Sequence, residues 1–534
     1  MRLLAALTLW LGLLLASGPA GAQTLEELIA KLPEGSFSDR AAVVSQIAAT
    51  GDERAAAVLD ALQAGDLALR REDGAVVRVT GHGAKAVAFD PLTGVELGPV
   101  PPRSTEAVKV NNALRRSVRS AISTLTLMAQ DPGKRLSAAT QAFRSPDPEQ
   151  LEAIRTALAA ETDATVRKAL TEAEAATVVR TDADLSLRVA AIATIAGRGG
   201  SDALSALTPL QAADEPAIAE AAKAAVAGIE RTQAMWSQVQ NVWFGLSLGS
   251  VLLLAAVGLA ITFGVMGVIN MAHGELIMIG AYTTFVTQEV IRQNFPFLFD
   301  WSLFIAIPLA FLVAGAIGVG IERGIVRFLY GRPLETLLAT WGVSVILQQA
   351  VRTAFGPSNR EVGNPSWMSG SFRFGEMLVT WNRFTIIVFG LLVFAGLLLL
   401  LSRTPLGLQM RAVTQNRAMA AEMGIRTARV DALTFGLGAG IAGLAGVALS
   451  QIDNVSPNLG QAYIIDSFLV VVFGGAGNLW GTFAAAFSLG IANKFLEPWA
   501  GAVLGKILIL VFIILFIQKK PRGLFPQRGR AVEA

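Results

Sequence analysis

The apolar positions of this chain follow two different patterns. From about Val242 onward, long stretches carry no charged residue, whereas residues 23–235 mix charged and apolar positions at the density of a soluble domain. A run of about 20 apolar residues is long enough to cross the hydrocarbon of a bilayer as a helix. The pattern therefore predicts a membrane half, residues 236–520, that follows a soluble segment.

We expect about eight or nine transmembrane helices in the membrane half, each long enough to span or nearly span the bilayer. The predicted segments are 242–269, 276–288, 302–321, 336–351, 384–401, 432–450, two elements within 467–493, and a last one ending near 517. The longest run is interrupted by the sequence Gly-Gly-Ala-Gly-Asn at 474–478, and clustered glycines favour a break between two helices.

The soluble segment is predicted to be mostly helical. Apolar residues recur at helical spacing in 52–65 and 147–161, and each stretch opens with an Asp that can cap a helix. Residues 182–230 resemble two HEAT-like helical hairpins, which bury a face only against their neighbours. Residues 67–98 instead alternate apolar and polar positions around Asp-Gly and Thr-Gly turns, which predicts a small β element.

Residues 1–22 are predicted to be an export signal. Arg2 precedes an apolar run, and Ala20-Gly21-Ala22 is a small-residue cleavage site. An uncleaved anchor helix is the alternative, although the run is short for a bilayer span. A cleaved signal would place the mostly helical domain 23–235 in the periplasm. With an odd number of crossings, the basic segments at 323–332 and 403–429 and the tail 521–534 then fall in the cytoplasm of a bacterial inner-membrane protein, as the positive-inside rule requires.

Composition excludes several classes of function. The chain has no Cys and only 2 His, which rules out thiol chemistry and a multi-His metal site. A net charge of +3 is too small to indicate nucleic-acid binding. The GxGxxG match at Gly438, Gly440 and Gly443 has no strand before it, so close packing of helices explains it better than a dinucleotide site. We expect no cofactor, no metal and no catalytic residue.

Polar residues within apolar spans are the candidate solute contacts, because each is costly in a membrane. The candidates are Asn270, His273 and Glu275 in one group, and Gly474, Gly475, Gly477 and Asn478 in another. The first group has a solvated interfacial turn as its alternative interpretation. The second would expose backbone groups near mid-membrane, with simple packing glycines as the alternative. No pair of opposite charges is evident deep in a span, which favours a neutral solute over an ion.

An arginine-rich segment at 403–430 is the clearest functional signal. Pro405 marks the start of a helix, and an amphipathic stretch runs from there to Gly424. A short helix of this kind is suited to the groove of a partner protein. The alternative, a solvated basic loop, would leave three methionines and a valine exposed.

Several separate motifs resemble those of the LivH-type permeases of branched-chain amino acid ABC importers. They are LAITFGVMGVINMAHGELIMIGAY, TPLGLQMRAVTQNRAMAAEMGI, VVVFGGAGNLWGTFAAA and KKPRGLFP, and the similarity covers about residues 240–525. The signal sequence, the long helical domain before the membrane half, and residues 356–370 are similar to those of the urea-importer permeases within that family.

The resemblance implies one permease of an ABC importer, without enzyme activity of its own and with urea as its solute. It implies three kinds of partner: a second, LivM-like permease, two cytoplasmic ATPase subunits and a periplasmic solute-binding protein. It also implies a coupling helix that fits the ATPase, marked by Gly407, Arg411, Ala412, Asn416, Ala420 and Gly424. Branched-chain amino acids or short amides are alternative solutes, and an ATPase-independent urea channel or a sensor are alternatives of a different class.

Overall fold

The structure is a computed structural model that describes residues 24–52, 54–81, 86–101 and 104–525. The predicted signal sequence and the end of the predicted tail lie outside these residues. The chain divides into two compact units between Thr232 and Gln233. Each unit has apolar cores of its own.

The first unit is mostly helical, as predicted. Its helices are α1 (Leu25–Lys31), α2 (Phe37–Ala49), α3 (Arg54–Ala64), α4 (Asn112–Leu127), α5 (Pro132–Arg144), α6 (Leu151–Ala160), α7 (Ala164–Val178), α8 (Leu185–Arg198), α9 (Gly200–Leu207) and the beginning of α10 (Pro216–Met266). Side-chain caps fix where they begin. At α7, for example, the Asp163 carboxylate accepts hydrogen bonds from the backbone N–H groups of Thr165 and Val166 at 2.8 and 3.1 Å.

The β element predicted within 67–98 is present and belongs to a larger sheet. Its strands are β1 (Leu67–Arg70), β2 (Val76–Thr80), β3 (Val87–Phe89), β4 (Glu96–Pro99) and β5 (Thr105–Ala107), all antiparallel in the order β4-β3-β2-β1-β5. The Asp-Gly and Thr-Gly turns connect neighbouring strands because Gly74 and Gly94 both adopt φ 68°.

The pair of HEAT-like hairpins predicted at 182–230 is not confirmed. Helix α9 is only 8 residues long and is followed by a short 3-10 turn, Thr208–Ala212. Gly199 separates α8 from α9, and both it and Gly200, the first residue of α9, have positive φ. Helix α10 then continues to Met266 instead of closing a second hairpin.

The second unit is a bundle of helices. After α10 come α11 (His273–Asn294), α12 (Ser302–Gly324), α13 (Pro333–Phe355), α14 (Trp381–Arg403), α15 (Pro405–Gln415), α16 (Arg417–Glu422), α17 (Thr427–Ser450), α18 (Leu459–Gly474) and α19 (Leu479–Lys519), with a hairpin of β6 (Ser371–Phe374) and β7 (Met377–Thr380) before α14.

Six helical stretches among the described residues are long and apolar enough to cross a membrane. They are α10, α12 with its flanking 3-10 turns, α13, α14, α17 and α19. Helix α18 is apolar but shorter, and α11 carries more polar residues. The chain is therefore a helical membrane protein with several spans, while the count of eight or nine stays a prediction.

The interruption predicted at 474–478 is confirmed. Helix α18 ends at Gly474 and α19 begins at Leu479, and between them Gly475 and Gly477 adopt φ values of 103° and 82°. Helix α19 has a second break at Gly501, with φ 76°. The chain folds back at this break. As a result, residues on its two sides are close together: a Cβ built on Gly505 would lie 3.6 Å from the Cβ of Leu496.

Glycines let the helices of the bundle approach one another closely around α17. A Cβ on Gly438 would lie 2.6 Å from the backbone oxygen of Gly258 in α10, and one on Gly446 would lie 2.0 Å from the backbone oxygen of Ile277 in α11. The most apolar window of α17 is 89% buried, whereas that of α13 is only 17% buried. The GxGxxG match thus serves helix packing, as predicted, and α17 lies at the centre of the bundle.

Candidate functional site

Helix α11 begins inside the bundle. The chain turns back after α10 at Gly267, where φ is 69°, and His273 then lies beside Ala255, in the last third of α10. Its Nε2 donates to the Ala255 backbone oxygen at 2.8 Å, so in the neutral ring Nδ1 is an acceptor. Asn270, His273 and Glu275 are at most 1% exposed. These residues are therefore covered by protein, and the interpretation as a solvated interfacial turn is not supported.

The structure separates His273 from Glu275. His273 faces α10, whereas Glu275 faces α13 and α18, where its Oε1 accepts a hydrogen bond from Ser344 at 3.1 Å. Gly460 leaves room for this carboxylate, since a Cβ there would lie 2.8 Å from Oε2. Within the described part of the chain, Asn270 Nδ2, His273 Nδ1 and Glu275 Oε2 have no hydrogen-bond partner. Buried polar atoms without partners are costly, so these three atoms stay the candidate solute contacts of this group.

A stripe of polar side chains winds slowly around α13, because its members recur at intervals of four residues and each step turns about 40°. Its members are Thr336, Thr340, Ser344, Gln348 and Arg352. The first three are at most 7% exposed. At a rise of about 1.5 Å per residue the stripe is about 24 Å long, close to the thickness of a hydrocarbon core. We call this set the α13 stripe.

The α13 stripe contacts the start of α11 and the residue that precedes α18. Thr340 Oγ1 accepts from the backbone N–H of Met271 at 3.1 Å, and Ser344 bonds Glu275. Further along, Gln348 and Arg352 both donate to Asn458 Oδ1, at 3.0 and 2.9 Å. Thr340, Ser344 and Gln348 can be recognised in the sequence as neutral hydrogen-bonding groups within an apolar span, and their four-residue spacing could also have linked them to Thr336 and Arg352.

The glycine interruption before α19 serves packing and capping. Asn478 Oδ1 accepts from the backbone N–H groups of Trp480 and Gly481, both at 3.1 Å, and its Nδ2 donates to the Phe525 backbone oxygen at 3.2 Å. Phe525 in turn donates its N–H to the Gly474 backbone oxygen. Residues 521–525 therefore cover this break, which lies beside the basic end of α19. The expectation of exposed backbone is not supported for Gly474, Gly475 and Asn478, since a Cβ on Gly475 would also lie only 2.7 Å from the Phe525 backbone oxygen.

The predicted coupling segment folds as two short helices, α15 and α16. The Thr404 hydroxyl caps α15, and the Asn416 side chain ends one helix and caps the next by accepting from the Met419 N–H at 3.0 Å. Met410 and Val413 pack into the bundle, at 3% and 4% exposure. The predicted amphipathic character is confirmed, but the single helix is replaced by two.

Some of the residues predicted to mark the coupling helix face the bundle, and others are exposed. Ala420 is 5% exposed and faces the bundle, so it cannot contact a partner as expected. Gly407 packs against Leu401, where a Cβ would lie 2.0 Å from the backbone oxygen, and Ala412 is half-buried. Arg411 is exposed, but one guanidinium nitrogen donates to that same Leu401 oxygen. Gly424, with φ 86°, ends α16.

Three apolar side chains of this segment are exposed instead. Leu408, Met419 and Met423 are 63%, 61% and 80% exposed. We call them the exposed apolar face of α15–α16. Exposed apolar residues rimmed by charge are typical of protein–protein contacts, and the four-residue spacing of the two methionines was a signal available in the sequence.

A polar network ties α16 to the bundle. Arg417 forms an ion pair with Asp431, which is fully buried at the start of α17. The same guanidinium lies over the Tyr330 ring, 4.9 Å from its centroid, and the Tyr330 hydroxyl donates to buried Glu322 at 2.9 Å. In the sequence, Arg417 is one of several basic residues in 403–429, and nothing in the pattern distinguishes it by its partner Asp431.

Comparison with known proteins adds a family. The family described as "branched-chain amino acid transport system / permease component" matches residues 241–517, which is most of the second unit. BraD of Pseudomonas aeruginosa, a high-affinity branched-chain amino acid transport system permease protein, is 31% identical over 54% of this chain and 96% of its own length. LivH of Escherichia coli is 31% identical over 54% of this chain and 94% of its own length.

A second kind of permease is also similar. LivM of Salmonella typhimurium is 26% identical over 51% of this chain and 67% of its own length. No solved structure matches the chain. With a family match over half of its length and the membrane helices described above, this chain belongs to the permease family of the branched-chain amino acid transport systems.

Proposed function

We propose that this chain is one permease subunit of an ABC importer for a small neutral solute, most simply urea. The observation that carries the proposal is the α13 stripe, whose buried members contact the Met271 backbone and the Glu275 carboxylate. Threonine, serine and glutamine both donate and accept hydrogen bonds. Urea presents one carbonyl acceptor and two amino donors, so such a row can replace its water shell step by step.

Branched-chain amino acids are the second candidate, because BraD, LivH and LivM are named for their transport. A zwitterion with an aliphatic side chain would need an apolar pocket and a pair of opposite charges. Among the described residues, the buried part of the α13 stripe, Thr336, Thr340 and Ser344, contacts one acidic group, Glu275, but no basic partner for a carboxylate. This supports the neutral solute.

The partners follow from the exposed apolar face of α15–α16. Helix-in-groove contacts use such a face. One of two ATPase subunits would bind there, the second permease would resemble LivM, and a solute-binding protein would deliver the solute. The basic segment containing α15 and α16 would then lie in the cytoplasm, with residues 23–235 in the periplasm.

Labelled-solute uptake tests the proposed substrate. A strain that lacks only this chain should lose uptake of urea at micromolar concentration, and a plasmid copy should restore it. Uptake of leucine, measured side by side, should not change. Loss of leucine uptake alone would identify the second candidate. Urea uptake that persists when the partner ATPase cannot hydrolyse ATP would identify a passive channel.

Substitutions on the exposed apolar face test the ATPase contact. Met423→Glu and Leu408→Glu place a charge where an apolar contact is expected and should reduce ATP-driven uptake at least tenfold, without lowering the amount of chain in the membrane. Ala428→Glu adds the same charge at an exposed position in the first turn of α17 and serves as the matched control. If the two variants of the exposed apolar face take up solute as fast as Ala428→Glu does, this face is not the ATPase contact.

A further inference from the structure

An ion pair lies among the apolar helices at the end of the second unit. Lys506 Nζ donates to Asp466 Oδ2 at 2.9 Å, although the two residues are 40 positions apart. Asp466 is in α18, and Lys506 is in the part of α19 that follows the break at Gly501. Only the fold-back of α19 brings the two residues together, so the pair cannot be predicted from the sequence.

The Lys506 side chain is partly exposed within an apolar surface. It is 46% exposed, whereas the Asp466 side chain is 15% exposed. Val503 and Leu510 lie one turn before and after Lys506 on the same side of the helix, Ile507 lies next to it, and all three are exposed. We call Val503, Lys506, Ile507 and Leu510 the Lys506 face. Lys506 is thus the charged member of an otherwise apolar face.

This face lies within the depth of the membrane. Between Lys506 and Lys519, the last residue of α19, the helix carries no charged residue. At a rise of about 1.5 Å per residue this run is about 20 Å long, against a hydrocarbon core of about 30 Å. A long Lys side chain can extend to the membrane surface, yet this ammonium is directed towards Asp466 and lies 5.9 Å from the centroid of the Tyr463 ring. The charge is therefore held inside the hydrocarbon layer.

Neither acyl chains nor water suits the Lys506 face. Acyl chains cannot bond the ammonium, and an exposed charge in hydrocarbon is costly. Water would bond the ammonium but would also cover Val503, which is 73% exposed, and its apolar neighbours. In the described part of the chain, Lys506 uses one of its three ammonium donors. A protein surface that is mainly apolar and carries one acceptor would cover the apolar side chains and bond the remaining donors.

We propose that the Lys506 face is the contact surface for the second permease subunit of the importer. The partner presents apolar side chains around a carboxylate or carbonyl oxygen, which accepts a hydrogen bond from the Lys506 ammonium. It is a membrane-spanning protein, because the surface that it covers lies within the hydrocarbon layer. The inference rests on the proposed function and names the helix through which the two permeases meet.

Photo-crosslinking in the assembled importer tests the contact. The chain has no Cys, so a single introduced one can carry a maleimide–benzophenone probe. A probe on Val503→Cys should cross-link this chain to the second permease. Leu392→Cys is the matched control, because Leu392 is 66% exposed in the middle of α14, within the charge-free run 384–402, and should give no product with that subunit. Equal yields from both positions, a product with a second copy of this chain, or no product from Val503→Cys would overturn the proposal.

Co-purification in detergent tests the ammonium. Lys506→Met should lower the amount of second permease retained by a tagged copy of this chain at least threefold. Lys494→Met, which removes a lysine paired with Glu497 on the same helix, should retain as much as the wild type. Unchanged retention by Lys506→Met would overturn the role of the ammonium. A second permease that the wild type retains, but that Val503→Cys does not cross-link, would contradict this contact surface alone. If the wild type retains none, the proposed function itself fails.

Discussion

At the residue scale, single glycines set the distances between helices in the membrane half. Gly446 is the sharpest case, because a Cβ there would lie 2.0 Å from the Ile277 backbone oxygen. Gly446→Ala should force α11 and α17 apart and destabilise the protein by about 1–3 kcal/mol, as overpacking does. The midpoint of thermal unfolding in detergent should fall accordingly.

Gly342→Ala is the control for that substitution. Gly342 is also in a membrane helix, α13, but nothing lies within 4 Å of a Cβ built there. Alanine also has the higher helix propensity, by about 1 kcal/mol. This variant should be as stable as the wild type or more so. A similar loss of stability in both variants would show that helix contacts at Gly446 are not the cause.

A buried acid of the first unit makes its stability depend on pH. Arg135 bonds both oxygens of Glu161, at 2.7 and 3.0 Å, and backbone N–H groups of Thr162 and Asp163 bond it as well. Arg135 above all, together with these N–H groups, lowers the pKa of Glu161 from 4.5 to about 2. Because the folded-state pKa is depressed, this stabilisation is present above pH 4.5 and is lost as the pH falls towards 2.

The variant Glu161→Gln tests this predicted loss of stability with falling pH. At pH 7 it should destabilise the first unit by about 1–2 kcal/mol, since charge-assisted hydrogen bonds are replaced by neutral ones. Between pH 4.5 and pH 2 the difference in unfolding midpoint from the wild type should shrink. Differential scanning calorimetry of the full chain in detergent measures both. A difference that is the same at pH 7 and pH 3 would contradict the role of the Glu161 charge.

At the scale of elements, sequence patterns predicted most helices but not how polar residues pair. Uncharged runs located α10, α12, α14 and α17, and the glycine cluster located the start of α19. Pairings across the fold could not be predicted, because Asp466 meets Lys506 only after α19 folds back at Gly501. For the same reason the sequence placed Asn270, His273 and Glu275 in one group, whereas the fold directs the last two to different neighbours.

The network at α16 gives a prediction for energy coupling. If α16 receives the movement of the ATPase, then the pair of Arg417 with Asp431 passes it to α17. Asp431→Asn removes the buried charge with little change in volume. In reconstituted importer, ATP hydrolysis should persist, while the amount of solute moved per ATP should fall severalfold. Vesicle uptake and phosphate release, measured on the same sample, give that ratio.

Tyr330→Phe is the milder comparison. It keeps the ring beneath the Arg417 guanidinium but removes the hydroxyl that bonds Glu322 at 2.9 Å. The ratio of solute to ATP should change less than in Asp431→Asn. Equal loss of ATP hydrolysis and uptake in Asp431→Asn would indicate a structural role for the ion pair, because assembly would then be the step that fails.

At the scale of the whole molecule, the two units have separate apolar cores. The cores of the first unit contain residues from Leu25 to Ile229, and those of the second begin at Val251. The family match likewise begins at residue 241. The membrane half therefore contains the contacts needed for its own folding.

Deletion of residues 24–232, with the start of the chain kept, tests this independence. The remaining bundle should insert into the membrane and keep the wild-type pattern of protease fragments, because no core residue of the second unit is removed. Uptake then separates two roles for the first unit. Uptake at the wild-type KM would show that it takes no part in solute capture, whereas a raised KM with normal insertion would indicate that it docks the solute-binding protein. Failure of insertion would contradict the separation of the two cores, since each must then depend on the other to fold.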